Sequence, residues 1–182
     1  MTMATQPTPT RIGVLLFPGF QLLDICGPLD VLNLLANTQT LSLSILAQTL
    51  DPVPTGHALQ ENQHSHFSQS IVPTHTFATA PPDLEVLIIP GGFGARKEEN
   101  VEGLVEFLRG YYGRLRWCLT VCTGSAILAK SGVLDGRRAT SNKKAFAWVG
   151  TIFSFLPALL LRLSFSLFSA GLNRLLRLRD IC

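Results

Sequence analysis

Cys122 is the residue of this 182-residue chain best placed to do chemistry. The apolar run RWCLTV ends on it, and Thr123, Gly124 and Ser125 then open a predicted helix. A thiol at a strand-to-helix junction meets the unpaired N–H groups and positive pole of the helix start, and both favour the thiolate, the nucleophilic form. Gly124 and Ser125 leave room for a substrate to approach. The carboxyl ends of strands in an open parallel sheet are also where ligands bind. The competing reading, a buried structural thiol, fits Cys118 in mid-strand better than Cys122.

A second candidate is Asp24, within FPGFQLLDICGPLDVL. It is either a helix N-cap or a partly desolvated carboxyl able to act as a general acid. Spacing alone favours the cap; catalysis requires the fold to bring Asp24 to Cys122. Gly91 and Gly92 follow the apolar run LEVLIIP, and their bare N–H groups could form an anion-stabilising pocket, against the plainer reading of a tight turn. His57, His64, His66 and His75 lack ligand spacing and read as loop or surface residues, so no metal site is expected. GGFGAR lacks the Lys-Ser/Thr of a phosphate-cradling loop.

The elements that must hold these residues are legible in the patterning. Residues 11–17, 84–90 and 116–122 are continuous apolar runs, as strands buried on both faces should be. Residues 41–47 alternate, as a half-buried strand does. Helices are predicted over 28–36, with Pro28 in the first turn, over 98–112 and over 124–131, which Gly132 stops. Residues 137–141 suggest a short strand, and 143–149 begin another helix. Residues 51–82 hold five of the eleven prolines and read as short strands and turns. The order strand, helix, strand makes this an α/β chain.

Charge argues against a nucleic-acid surface. Lys and Arg total 15 against 12 Asp and Glu, but four of those Arg and only Asp180 fall in 151–182, so the body is neutral. The first ten residues, MTMATQPTPT, read as a frayed arm without a signal-peptide n-region, and free thiols in a cytoplasmic setting are expected.

Together FPGFQLLDICGPLDVL, LEVLIIPGGFG and RWCLTVCTGSAILAKSGVLDGRRAT resemble the DJ-1/PfpI superfamily, and within it the isonitrile hydratase branch and its fungal relatives. The resemblance covers residues 11–149. It implies a flavodoxin-like α/β/α sandwich of the class I glutamine amidotransferase type that commonly forms homodimers. It implies Cys122 as nucleophile, Asp24 as the adjacent acid, and Thr123, Gly91 and Gly92 as substrate-binding residues. The implied reaction is hydration of an isonitrile to an N-substituted formamide, in isocyanide metabolism or detoxification, without metal or organic cofactor. Two other roles suit the same thiol: a non-catalytic sensor or dimerisation module, and a glyoxalase-like activity on small carbonyls. Where peptidase- and deglycase-like members carry His after the RRAT segment, this chain has Asn142, which counts against a Cys–His pair.

After Val149 the pattern changes. Residues 151–172 carry one charge, Arg162, and a basic end follows. The family's closing elements are not recognisable there, so 150–182 is read as an atypical tail from a retained intron or frameshift. A membrane anchor is the minority reading, because Arg162 would cost about 2.5–3.5 kcal/mol in mid-span. On this reading the chain as written is expected to be poorly soluble or inactive, since the missing elements would leave sheet surface uncovered.

Overall fold

The computed structural model describes residues 7–152, so the expectations for residues 1–6 of the N-terminal arm and for most of the 150–182 tail lie outside the described residues. Residues 7–10 are not frayed: the Pro7 carbonyl accepts from Arg116 Nη2 at 2.7 Å, and the Thr10 N–H donates to Glu85 at 2.8 Å. The chain runs through β1 (Arg11–Leu15), α1 (Leu22–Leu35), β2 (Ser42–Ala47), β3 (Val53–Pro54), α2 (Ala58–Asn62), β4 (Ser70–Ile71) and β5 (His75–Thr76). It continues through β6 (Val86–Ile89), α3 (Glu102–Tyr111), β7 (Trp117–Thr120), α4 (Gly124–Lys130) and α5 (Phe146–Gly150).

Five strands form one parallel sheet in the order β5-β2-β1-β6-β7, while β3 and β4 pair separately and antiparallel. The chain leaves β1 for β2 on one side and later returns to β1's other side as β6. Between β1 and β6 lies the point where the strand order reverses, and crevices at the carboxyl ends of such strands take ligands. Right-handed crossovers place α1 and α3 on opposite faces of the sheet, and α3 packs against α4. This is the flavodoxin-like α/β fold the sequence predicts.

The apolar runs become the centre of the core. Val14, Leu15, Leu87 and Ile89 are fully buried. Val101, Leu104, Val105 and Leu108 of the α3 segment turn inward. Gly132, at φ +81°, stops α4 as expected. At the opposite end from the elbow, Glu85 ties three strands together. Its carboxylate accepts from the Thr10 and Arg11 N–H groups at 2.8 and 3.2 Å and from Arg116 Nη1 at 2.9 Å. These bonds hold its pKa down at about 2.

Three local expectations change. The helix placed at 28–36 starts at Leu22, so Pro28 lies inside α1 rather than in its first turn. Pro28 has no N–H to give the Asp24 carbonyl, yet the helix carries across that gap. Residues 137–141 form no strand; they are irregular chain. β7 is a sheet edge and only half-buried, with Leu119 exposed, rather than a strand covered on both faces. His57 lies in a loop, as expected, directly before α2, and its ring packs on Phe93 at 4.8 Å. Among the described residues no helix is long and apolar enough to cross a membrane.

Candidate active site

The site is built where the ends of β6 and β7 meet the start of α1. The β6–β7 ladder continues past the strands, with the Val121 N–H donating to the Ile89 carbonyl at 2.9 Å. Cys122 then takes φ +55°, a left-handed conformation that costs a β-carbon-bearing residue energy. The strain puts the thiol on a sharp elbow, and Cys122 is exposed while the residues after it, Thr123 to Ala129, are buried. The elbow also depends on missing side chains. A Cβ on Gly124 would lie 2.3 Å from the Ile89 carbonyl oxygen, and one on Gly91 would lie 2.5 Å from the Thr123 nitrogen and 2.9 Å from Cys122 Cβ.

Gly91 is the meeting point. Its carbonyl accepts from the Gln21 N–H at 2.8 Å, and its own N–H donates to Asp24 Oδ2 at 2.9 Å. This two-point clasp fixes the first turn of α1 against the elbow. Asp24 is therefore not the N-cap that spacing favours. Gln21 occupies that position, and the Asp24 side chain reaches across to the β6 loop. Because the helix begins six residues early, Asp24 sits in its first turn and can point sideways. Burial raises the Asp24 pKa above the ordinary carboxyl range, and the Gly91 N–H offsets only part of that rise. The structure thus sets Asp24 and Cys122 on either side of the same glycine.

The Gly91 and Gly92 amides are not bare. Gly91 serves Asp24, and the Gly92 N–H donates to Thr123 Oγ1 at 3.0 Å. Thr123 is itself buried, so its hydroxyl is a tie between the two loops. Side chains reached these donors before a substrate could, and tight-turn patterning alone does not reveal that.

Residues beyond the predicted set complete the site. Asn142 Nδ2 lies 3.3 Å from Cys122 Sγ. Ser125 and Ser141 share a 2.9 Å hydrogen bond beneath it. The Arg96 guanidinium sits over both Phe93 and Trp148, 5.0 and 4.6 Å from the ring centroids, and so joins the loop after β6 to α5. Exposed Phe93 and Phe146 stand two and four residues from Gly91 and Asn142 and give the rim an apolar character. Asn142 had a sequence signal, its place after RRAT, but only as the absence of a histidine. The Ser125–Ser141 and Arg96–Trp148 contacts had none, because their partners are distant in sequence.

Comparison with known proteins bears on this arrangement. The DJ-1/PfpI family signature matches residues 10–151. The isonitrile hydratase of Pseudomonas putida is 36% identical over 132 residues, 72% of this chain and 52% of the relative. The chain thus spans about half the length of that hydratase. An uncharacterized protein in the cpoL 5' region of Streptomyces lividans is 31% identical over 139 residues, 74% of this chain and 88% of the relative. Among solved structures, a THiJ/PfpI family protein from Pseudomonas syringae superimposes with a TM-score of 0.60 at 32% identity, covering 78% of this chain and 55% of the other.

Proposed function

The chain belongs to the DJ-1/PfpI family, and from that membership we propose that it is an isonitrile hydratase-like lyase, converting an isonitrile and water into an N-substituted formamide. The observation that carries this reading is the convergence of Cys122 and a pKa-raised Asp24 on Gly91. Its similarity to the Pseudomonas putida hydratase supports the choice of reaction.

The chemistry follows from the two groups. The Cys122 thiolate attacks the terminal isonitrile carbon, forming the S–C bond while one C≡N π pair goes to the nitrogen and the carbon keeps its lone pair. That carbon takes the proton of the Asp24 carboxyl, which leaves a thioimidate and a carboxylate. Asp24 next takes a proton from water as the oxygen adds to the same carbon, and passes it to the nitrogen. Collapse breaks the S–C bond, returns the electron pair to sulfur and gives the hydroxyl proton to Asp24. Formamide leaves, and both side chains end as they began. Burial suits Asp24 to this work, because it favours the neutral carboxyl over the carboxylate. Thr123, Gly91 and Gly92 contribute by holding the floor of the site in shape, and Phe93 and Phe146 offer an apolar surface to the substrate body. No step requires a metal or organic cofactor.

The test is the formyl proton signal produced from a simple alkyl isonitrile. Wild type is expected to generate it, while Cys122→Ala and Asp24→Ala do not; formamide from Cys122→Ala would refute the reading. A sensor role is favoured by one observation, the exposure of Cys122. Oxidation of Cys122 by peroxide with no formamide from any isonitrile would select it.

We also place the protein in the cytoplasm as a homodimer. One stripe of α1 supports pairing of two copies: Leu23, Val31 and Leu34 are 72%, 56% and 68% exposed on the same helical face. Sedimentation of the full chain should give a dimer that Leu34→Glu weakens; a wild-type monomer at high micromolar concentration would reject it.

A further inference from the structure

The Asn142 amide has two different ends, and the structure decides which one faces the sulfur. Asn142 Oδ1 accepts from the Lys144 and Ala145 N–H groups at 2.9 and 3.4 Å, capping the 3-10 turn Lys143–Ala145. Flipping the amide would set its NH2 against two N–H donors and its oxygen against the sulfur. The cap therefore commits Nδ2 to Cys122 Sγ, 3.3 Å away. The preceding residue is anchored as well: Ser141 Oγ bonds to Ser125 Oγ at 2.9 Å, and Ser125 is buried in α4. Asn142 is thus held from both sides, on a segment with no other evident reason to close over the elbow.

We propose that Asn142 is a catalytic residue that donates a hydrogen bond to the Cys122 sulfur and steadies its negative charge before attack and again on departure. An amide neither takes nor surrenders a proton in this pH range. Its place beside the sulfur therefore leaves proton transfer to Asp24. That restricts the site to electrophiles whose attacked carbon becomes basic, as an isonitrile carbon does. It excludes unactivated amides, whose leaving amine needs an acid next to the sulfur. The inference rests on Cys122 as the nucleophile.

Two variants separate the donor from the cap. Asn142→Asp keeps shape and capping oxygen but sets a carboxylate oxygen against the sulfur. Asn142→Ser keeps a capping oxygen and removes the amide N–H group that reaches the sulfur. Iodoacetamide labelling at fixed pH, resolved by peptide mass spectrometry, reads Cys122 against exposed Cys26 in the same chain. The Cys122-to-Cys26 rate ratio is expected to fall roughly tenfold in Asn142→Ser and roughly a hundredfold in Asn142→Asp. For hydration, kcat should fall in the same order with KM nearly unchanged. An unchanged ratio in both folded variants would overturn the proposal. Should either variant misfold, the wild-type side-chain amide signal of Asn142 decides. It should move on alkylation of Cys122, and a stationary signal would overturn the proposal. Labelling needs no turnover, so predicted labelling without formamide would reject the hydratase reading and leave Asn142's role standing.

Discussion

Gly91→Ala is a substitution the site should tolerate poorly. The glycine does not have a left-handed φ, so the new methyl would act through space alone. It would lie 2.5 Å from the Thr123 nitrogen, 2.6 Å from Thr123 Oγ1 and 2.9 Å from Cys122 Cβ. Restoring ordinary contact requires a displacement of about 0.9 Å, and the nearest atom is backbone, which cannot rotate away as a side-chain tip can. Overpacking of this kind costs about 1–3 kcal/mol, and the rigid neighbour puts the expected cost at about 2–4 kcal/mol. For a domain of this size that is a fall in Tm of roughly 5–15 °C. The shift also falls on the elbow itself, and a misplacement of about 1 Å can cost about a hundredfold in rate. Thermal melting and Cys122 alkylation measure the two effects. A variant that melts within a degree of wild type and labels Cys122 at the wild-type rate would refute the view that Gly91 is the packed hinge between acid and thiol.

Three further outcomes follow from the same contacts. Thr123→Val keeps the shape but leaves the Gly92 N–H without its acceptor, so a loss of about 1–3 kcal/mol should appear in denaturant melts; no loss would show that water replaces the hydroxyl. Asp24 has a raised folded pKa, so its neutral form favours folding at low pH and that advantage is lost as pH rises through the raised value. The Tm of Asp24→Asn should therefore gain on wild type across that interval, and parallel curves would contradict the burial argument. Glu85 has the opposite sign. Its pKa drops from 4.5 to about 2, so its contribution is present above the ordinary carboxyl range and lost as pH falls toward 2. Glu85→Gln should flatten the acid side of the stability profile, and an unchanged acid limb would remove Glu85 as a tie between the strands.

The contrast between the legible and illegible parts of this protein is physical. Strands β1 and β6 announce themselves because a parallel sheet covered on its faces demands continuous apolar sequence; β7 has the same apolar run although it is a half-buried edge, and the Cys122 elbow follows from the abrupt change to Thr-Gly-Ser. The start of α1 is hidden because Pro28 mimics a helix opening. The real opening at Leu22 is stabilised from outside, by the Gly91 clasp on Gln21 and Asp24. Local propensity is blind to such tertiary support. The roles of Thr123, Gly92 and Asn142 were hidden for the same reason. Each is defined by a partner 20 or more residues away, and one-dimensional spacing does not encode which donor meets which acceptor.

The central claim is that the Cys122 sulfur forms a bond to the substrate carbon. Rapid mixing with excess alkyl isonitrile, acid quenching within the first turnover and intact-mass analysis test it directly. The account predicts a transient mass increase equal to one isonitrile, mapped to the Cys122 peptide and decaying as formamide appears. Formamide released with no adduct on Cys122 at any quench time would contradict it.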